Sequence, residues 1–269
     1  MEISLAAETV FKVGNFPITN SVLTTWVVMA VFLLLALLSR RVSLVPRQLQ
    51  NVVEILVLWL YDLTRSIINN DKIARRIFPL MAVFFVFILV SSLSGLIPGA
   101  GSIGIFHVVD GHKTLIPLFR APTSDLNTTF ALAIISATVY TFLGVSTIGF
   151  IEYTKKFVRL SSPIDFFVGI LEFISEFSKI ISFGFRLFGN IFAGEVLISV
   201  VTFLVPYILP APLYGFEIFV AFIQAFVFTV LSIVFTALAI QRHEAEHAEP
   251  VEHESQPDAA TTLINQTNN

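Results

Sequence analysis

Apolar runs of about twenty residues recur along this chain, and each is long enough to cross the roughly 30 Å hydrocarbon core of a bilayer as a helix. Only helices and closed barrels satisfy their own backbone hydrogen bonds inside lipid, and uninterrupted runs of this length select helices. Three runs, near residues 21–38, 77–98 and 127–151, are each closed by charges or by Pro and Gly. Two longer ones, 166–205 and 213–240, are joined by the short proline-rich turn 206–212 and form a hairpin. Residues 46–68 carry Val52, Val53, Leu56, Leu60 and Leu63 at helical period beside Gln50, Glu54, Asp62 and Arg65. That pattern predicts an amphipathic helix lying at the membrane surface.

The expected fold class is therefore all-α: a polytopic membrane protein with about five transmembrane crossings, a long tilted helical hairpin and an interfacial amphipathic helix. Residues 1–240 form one membrane domain, and 241–269, rich in Glu with three histidines, read as a polar, disordered tail with adventitious metal binding at most. The first apolar run is not read as a signal peptide, because Arg40 and Arg41 follow it and no small-residue cleavage site ends it.

Composition removes several functions. With 55% hydrophobic and 13% charged residues and a net charge of -3, the chain offers no basic surface for nucleic acid. It contains no cysteine, which excludes disulfides, thiol catalysis and cysteine metal sites. No GxxxxGK[ST] loop is present to hold a nucleotide. His107, Asp110 and His112 read as solvated loop residues, and Asp125 or Asn127 as a cap for the third span.

Positive charge sets an orientation. Arg40, Arg41, Arg47, Arg65, Lys72, Arg75 and Arg76 cluster between the first two spans, and Lys155, Lys156 and Arg159 follow the third. Both segments belong on the cytoplasmic side, which puts the N-terminus outside and the C-terminus inside.

The polar residues of the long hairpin carry the functional signal. Arginine stays protonated at any accessible pH, and near the bilayer centre it costs at least roughly 2.5 to 3.5 kcal/mol, so Arg186 needs water, a partner charge or both. At 100° per residue from Glu172, Glu176 falls at about 40°, Lys179 at about 340°, Arg186 at about 320°, Asn190 at about 0° and Gly194 at about 40°, one narrow face bordered by Ser175. Glu195 points about 180° away from Arg186. Glu217 and Gln224 share a face of the second hairpin helix, and antiparallel pairing puts Glu195 and Glu217 in the outer half of the membrane. Two carboxyls close together in low dielectric do not both ionise cheaply, so one is expected to keep a proton, as an outward-facing relay would need.

Other readings exist for these residues. Arg186 would snorkel to the inner interface if a shorter span began near Phe183, although Asn190, Glu195, Glu217 and Gln224 would then be unexplained. Glu172, Glu176 and Lys179 also suit an interfacial helix with a Glu176–Lys179 ion pair. Gly184, Gly189 and Gly194 suit close approach by another helix. For the whole chain, a secondary ion-coupled transporter is the alternative, but it predicts paired internal repeats that the sequence lacks, and a voltage sensor would want several arginines at spacing three.

The hairpin resembles subunit a of the F-type ATP synthases, through SFGFRLFGNIFAGE (182–195), QAF (224–226) and PTSDLN (122–127). The resemblance covers residues from about Thr19 to Ile240. It implies a non-catalytic, proton-translocating stator subunit of the membrane sector, with Arg186 as the essential arginine facing the rotor carboxylate. It further implies that Asn190, Glu195, Glu217 and Gln224 line an outer half-channel and that Glu172, Ser175 and Glu176 line the inner one. Glu217 stands where some members of the family have histidine. The implied partners are the c-ring, the peripheral-stalk subunit b and membrane lipid, with no cofactor, no metal and no nucleotide on this chain. The absence of an Arg-rich, Ser-rich leader favours a bacterial inner membrane over an organelle.

Overall fold

Capping residues set where the helices begin, and some begin outside the apolar runs. The computed structural model describes residues 7–38, 48–97, 103–109, 112–155, 157, 163–205 and 208–247. Helix α1 spans Asn20–Leu38 and α2 spans Gln48–Ile68. Asn69 then takes a left-handed conformation with φ of 53°, which asparagine tolerates better than most residues. Asn70 caps α3 (Asp71–Ser94), its side-chain oxygen accepting from the Lys72 and Ile73 N–H groups. The expected start near residue 77 is thus too late. Lys72, Arg75 and Arg76 end the apolar run but not the helix, because they face outward while Ala74 and Ile77 turn in.

Asp125 caps α4 (Leu126–Ile148), accepting from the Asn127 N–H at 3.0 Å. Replacing Asp125 by alanine is expected to cost about 1 kcal/mol. A lowered thermal midpoint of the detergent-solubilised subunit would register that loss. Gly149, with φ of 96°, breaks the chain before the short α5 (Phe150–Lys155). α6 (Pro163–Leu204) opens on proline, whose missing N–H is unneeded there. Its 42 residues extend about 63 Å at 1.5 Å each. α7 (Pro210–His247) returns antiparallel to it. The helix therefore continues through residues 241–247, which the sequence reading assigned to a disordered tail, and 248–269 lie outside the described residues.

Among the described residues, four helices are long and apolar enough to cross a membrane: α3, α4, α6 and α7 as far as Ile240. α1 adds a shorter apolar segment, Asn20–Leu34. Two antiparallel hairpins were not expected, β1 (Thr9–Val13) with β2 (Phe16–Thr19) and β3 (Gly104–Val109) with β4 (His112–Pro117). Their strands of four to six residues are too short to register beside runs of twenty. His107 and His112 fall on β3 and β4, and Asp110 lies outside the described residues. The hairpins meet at one end of the bundle, where Asn20 Nδ2 donates to the Pro117 carbonyl at 3.3 Å and the Arg120 N–H to Thr24 Oγ1 at 3.1 Å. We call this the hairpin end, and the opposite one, with Arg65, Lys72, Arg75 and Arg76 exposed around the α2–α3 corner, the basic end.

α7 is the hub, packing against α2, α3, α4 and α6. The core joins Phe84, Phe85 and Ile88 of α3, Leu132 and Ala133 of α4, Phe183, Leu187 and Ile191 of α6, and Ala221, Ala225, Phe228 and Ile233 of α7. Phe183 stacks on Phe228 with centroids 5.0 Å apart, while Phe84 meets the same ring edge-on. α2 lays Leu60, Thr64 and Ile68 inward and stacks Trp59 on Phe226 at 5.6 Å, whereas Val53 stays exposed. Lipid is as apolar as these side chains, so close packing and interhelical hydrogen bonds hold such helices together. One such bond runs from Ser136 to Ser232 at 2.8 Å. The buried hydroxyls of Thr229, Ser232 and Thr236 line the same side of α7, each returned to a carbonyl one turn back. Their spacing of three and four residues was visible in the sequence, but they were read as part of one apolar run.

Candidate functional site

α6 buries Phe183, Gly184, Leu187, Phe188, Ile191, Gly194 and Ile198 against α4, α7 and the short turn Pro122–Ser124. Arg186 stands off that stripe and is exposed, as are Asn190 and, nearer the basic end, Ser175. The guanidinium Nη2 donates to Ser182 Oγ at 3.4 Å. Beside it Gly189 faces open space, and Phe185 and Leu197, 53% and 46% exposed, flank the face. A permanent cation thus sits on an uncovered, largely apolar surface of the hairpin, with Ser182 and Asn190 as its exposed polar neighbours on α6.

The carboxyls lie away from Arg186, Glu195 on the opposite side of α6 and Glu217 on α7. Glu217 of α7 is 5% exposed and rests directly on Gly194, where an added Cβ would overlap its carboxyl group. Glu195 is half-buried, its Oε2 is buried without a hydrogen-bond partner among the described residues, and it lies within electrostatic range of Glu217. Gln224 is half-buried two turns further along α7. The contacts Gly194–Glu217 and Phe183–Phe228 place Gln224 between those two levels, beside the stretch of α6 that carries Arg186 and Asn190. Arg186 and Glu195 are about 13.5 Å apart along the axis and turned to different sides.

Towards the basic end the arrangement departs from the expected single stripe. Glu176 turns inward, where its Oε2 accepts from Lys179 Nζ at 2.8 Å and from the Tyr140 hydroxyl of α4 at 3.4 Å. Lys179 in turn lies over the Phe235 ring of α7, 5.0 Å from its centroid. Glu172 is half-buried and Ser175 exposed, so Glu176 does not share Ser175's surroundings. Gly194 also leaves the stripe, being buried under Glu217. A 40° step from exposed Asn190 is enough to carry Gly194 from the open face into the contact with α7.

Two features of the surroundings escaped sequence reasoning. Tyr140 gave no signal, since its partner is 36 residues away on another helix. Arg120 is 8% exposed, and its guanidinium donates to Ser124 Oγ at 3.1 Å and to the Ser124 carbonyl at 3.4 Å. With the Ser92–Thr123 bond at 3.0 Å, it fastens the loop before α4 to α1 and α3.

Comparison with known proteins finds similarity along most of the chain. The family model described as ATP synthase A chain matches residues 22–237. The ATP synthase subunit a of Moorella thermoacetica is 32% identical over 235 residues, which cover 87% of this chain and 96% of that protein. The subunit a of Campylobacter jejuni is 35% identical over 202 residues, covering 74% of this chain and 80% of its own length. With a bundle of membrane-length helices and a match of this extent, the chain belongs to the ATP synthase A chain family.

Proposed function

We propose that this subunit of the ATP synthase membrane sector is the non-catalytic stator through which protons pass, along two offset half-channels that end at the c-ring on either side of Arg186. The observation that carries the reading is the exposed guanidinium on an apolar helix face. Left facing lipid it would cost at least roughly 2.5 to 3.5 kcal/mol, so that face calls for a partner with an anionic group, as a rotor carboxylate supplies. Glu195, Glu217, Gln224 and Asn190 form the outer passage, which opens at the hairpin end. Glu172 and Ser175 form the inner one. A proton entering from outside neutralises a rotor carboxylate, rides the ring and leaves at the basic end. Arg186 repels a cation crossing directly and favours the ionised form of the rotor carboxyl, so that the protonated group gives up its proton to the inner passage as it approaches. The basic end faces the cytoplasm of a bacterial inner membrane, with α2 along the interface and subunit b as a further partner.

The chain contains no cysteine, which makes contact with the rotor directly testable. A cysteine at Gly189, in open space beside Arg186, is expected to cross-link to a cysteine placed next to the rotor carboxylate. One at Phe85, 0% exposed, is expected not to react. Absence of the Gly189 cross-link in an assembled complex would overturn the assignment of this face to the rotor.

A further inference from the structure

We propose that Glu176 and Tyr140 are positioning residues that hold the Lys179 ammonium against Phe235, keeping the inner passage clear of an uncompensated cation. The inference rests on the inner-passage reading given above. Lys179 lies seven residues from Glu172 and seven from Arg186, two turns from each, so it stands midway along the helix between rotor contact and exit, where a free ammonium would reach the path. Nothing in its charge favours a proton moving along that path. Three contacts draw it aside: the Glu176 carboxylate at 2.8 Å, the Phe235 ring at 5.0 Å, and the Tyr140 hydroxyl, which fixes the same Glu176 oxygen at 3.4 Å. The carboxylate cancels the charge, and the ring and hydroxyl decide where the pair sits, between α4 and α7 rather than on the side of Ser175. The pair is largely shielded, with Lys179 and Glu176 side chains 27% and 18% exposed, so solvent screens it less than it would a surface pair. Glu172 is then left as the carboxylate of the passage, and Glu176 serves it only by restraining the lysine.

The test is the initial rate of ATP-driven proton pumping by the whole complex in proteoliposomes, normalised to the amount of this subunit assembled with the ring. E176Q frees the lysine charge and is expected to slow pumping on the order of tenfold, while E176Q/K179Q, which removes that charge, restores it to within about twofold. Y140F removes one hydroxyl with little change of shape and is expected to slow pumping about two- to threefold, an effect absent when K179Q is already present. Pumping by E176Q equal to the parent would overturn the proposal. So would a double variant as slow as E176Q, because Glu176 would then be carrying protons itself. Failure of the channel reading looks different, since E172Q and S175A would then also leave pumping at the parent rate.

Discussion

Replacing Arg186 by alanine is expected to reduce ATP-driven proton pumping in membrane vesicles to background while leaving the subunit assembled. The two halves of this expectation have separate physical origins. Among the described residues the guanidinium makes one long bond, 3.4 Å to Ser182, and it faces outward, so the fold loses little when it goes. Across the interface it is the permanent charge of the open face, and in the proposed mechanism no other group keeps the two passages apart. Each elementary charge falling through 100 mV releases about 2.3 kcal/mol, and this energy drives rotation only if a proton cannot pass without riding the ring. Once the barrier is gone the gradient dissipates, and hydrolysis no longer builds one. Lysine at the same position keeps a charge but loses the planar fork that binds a carboxylate through two hydrogen bonds, so Arg186→Lys is expected to stay severely impaired. Normal coupling in the alanine variant would refute the assigned role.

How far this arrangement was legible beforehand varies from residue to residue. The bodies of α3, α4, α6 and α7 could be read because lipid demands about twenty apolar residues per crossing, a constraint that needs no knowledge of tertiary contacts. Their ends could not. Lys72, Arg75 and Arg76 interrupt the apolar run yet lie on the outward face of α3, and the helix of α7 runs on through polar residues to His247. In the hairpin, helical geometry alone separates Arg186 from Glu195, and the structure has the first exposed and the second with a buried carboxyl oxygen. The same geometry grouped Glu176 with Arg186, because 80° on a helical wheel does not say where a neighbouring helix begins. Tyr140 and Phe235 decide that, and they sit on α4 and α7, where no local pattern announces their approach to α6.

The contact of Gly194 with Glu217 belongs to the same class of facts hidden from a single helix, and it leads to the second large effect. Gly189 and Gly194 are five residues apart in α6 and present opposite environments: open space at the first, the Glu217 carboxyl at the second. Alanine at Gly189 should stabilise the isolated subunit by roughly 0.5 to 1 kcal/mol, the usual gain from restricting a glycine within a helix. Alanine at Gly194 must instead displace a nearly fully buried carboxyl from its seat, an overpacking that typically costs about 1 to 3 kcal/mol. The displaced group is also one that the proposed outer passage uses, so pumping is expected to fall at least about tenfold, beyond any loss of assembled subunit. Shortening the acid in the same background, as Gly194→Ala with Glu217→Asp, moves the carboxyl back by one methylene and makes room for the new methyl. Pumping should then recover in part, while Glu217→Asp alone, with a gap over Gly194, should be slower than the parent. Recovery in the pair would assign the loss to the position of the Glu217 carboxyl, whereas equal defects in Gly194→Ala with and without Glu217→Asp would show that the carboxyl's position does not limit flow through this passage.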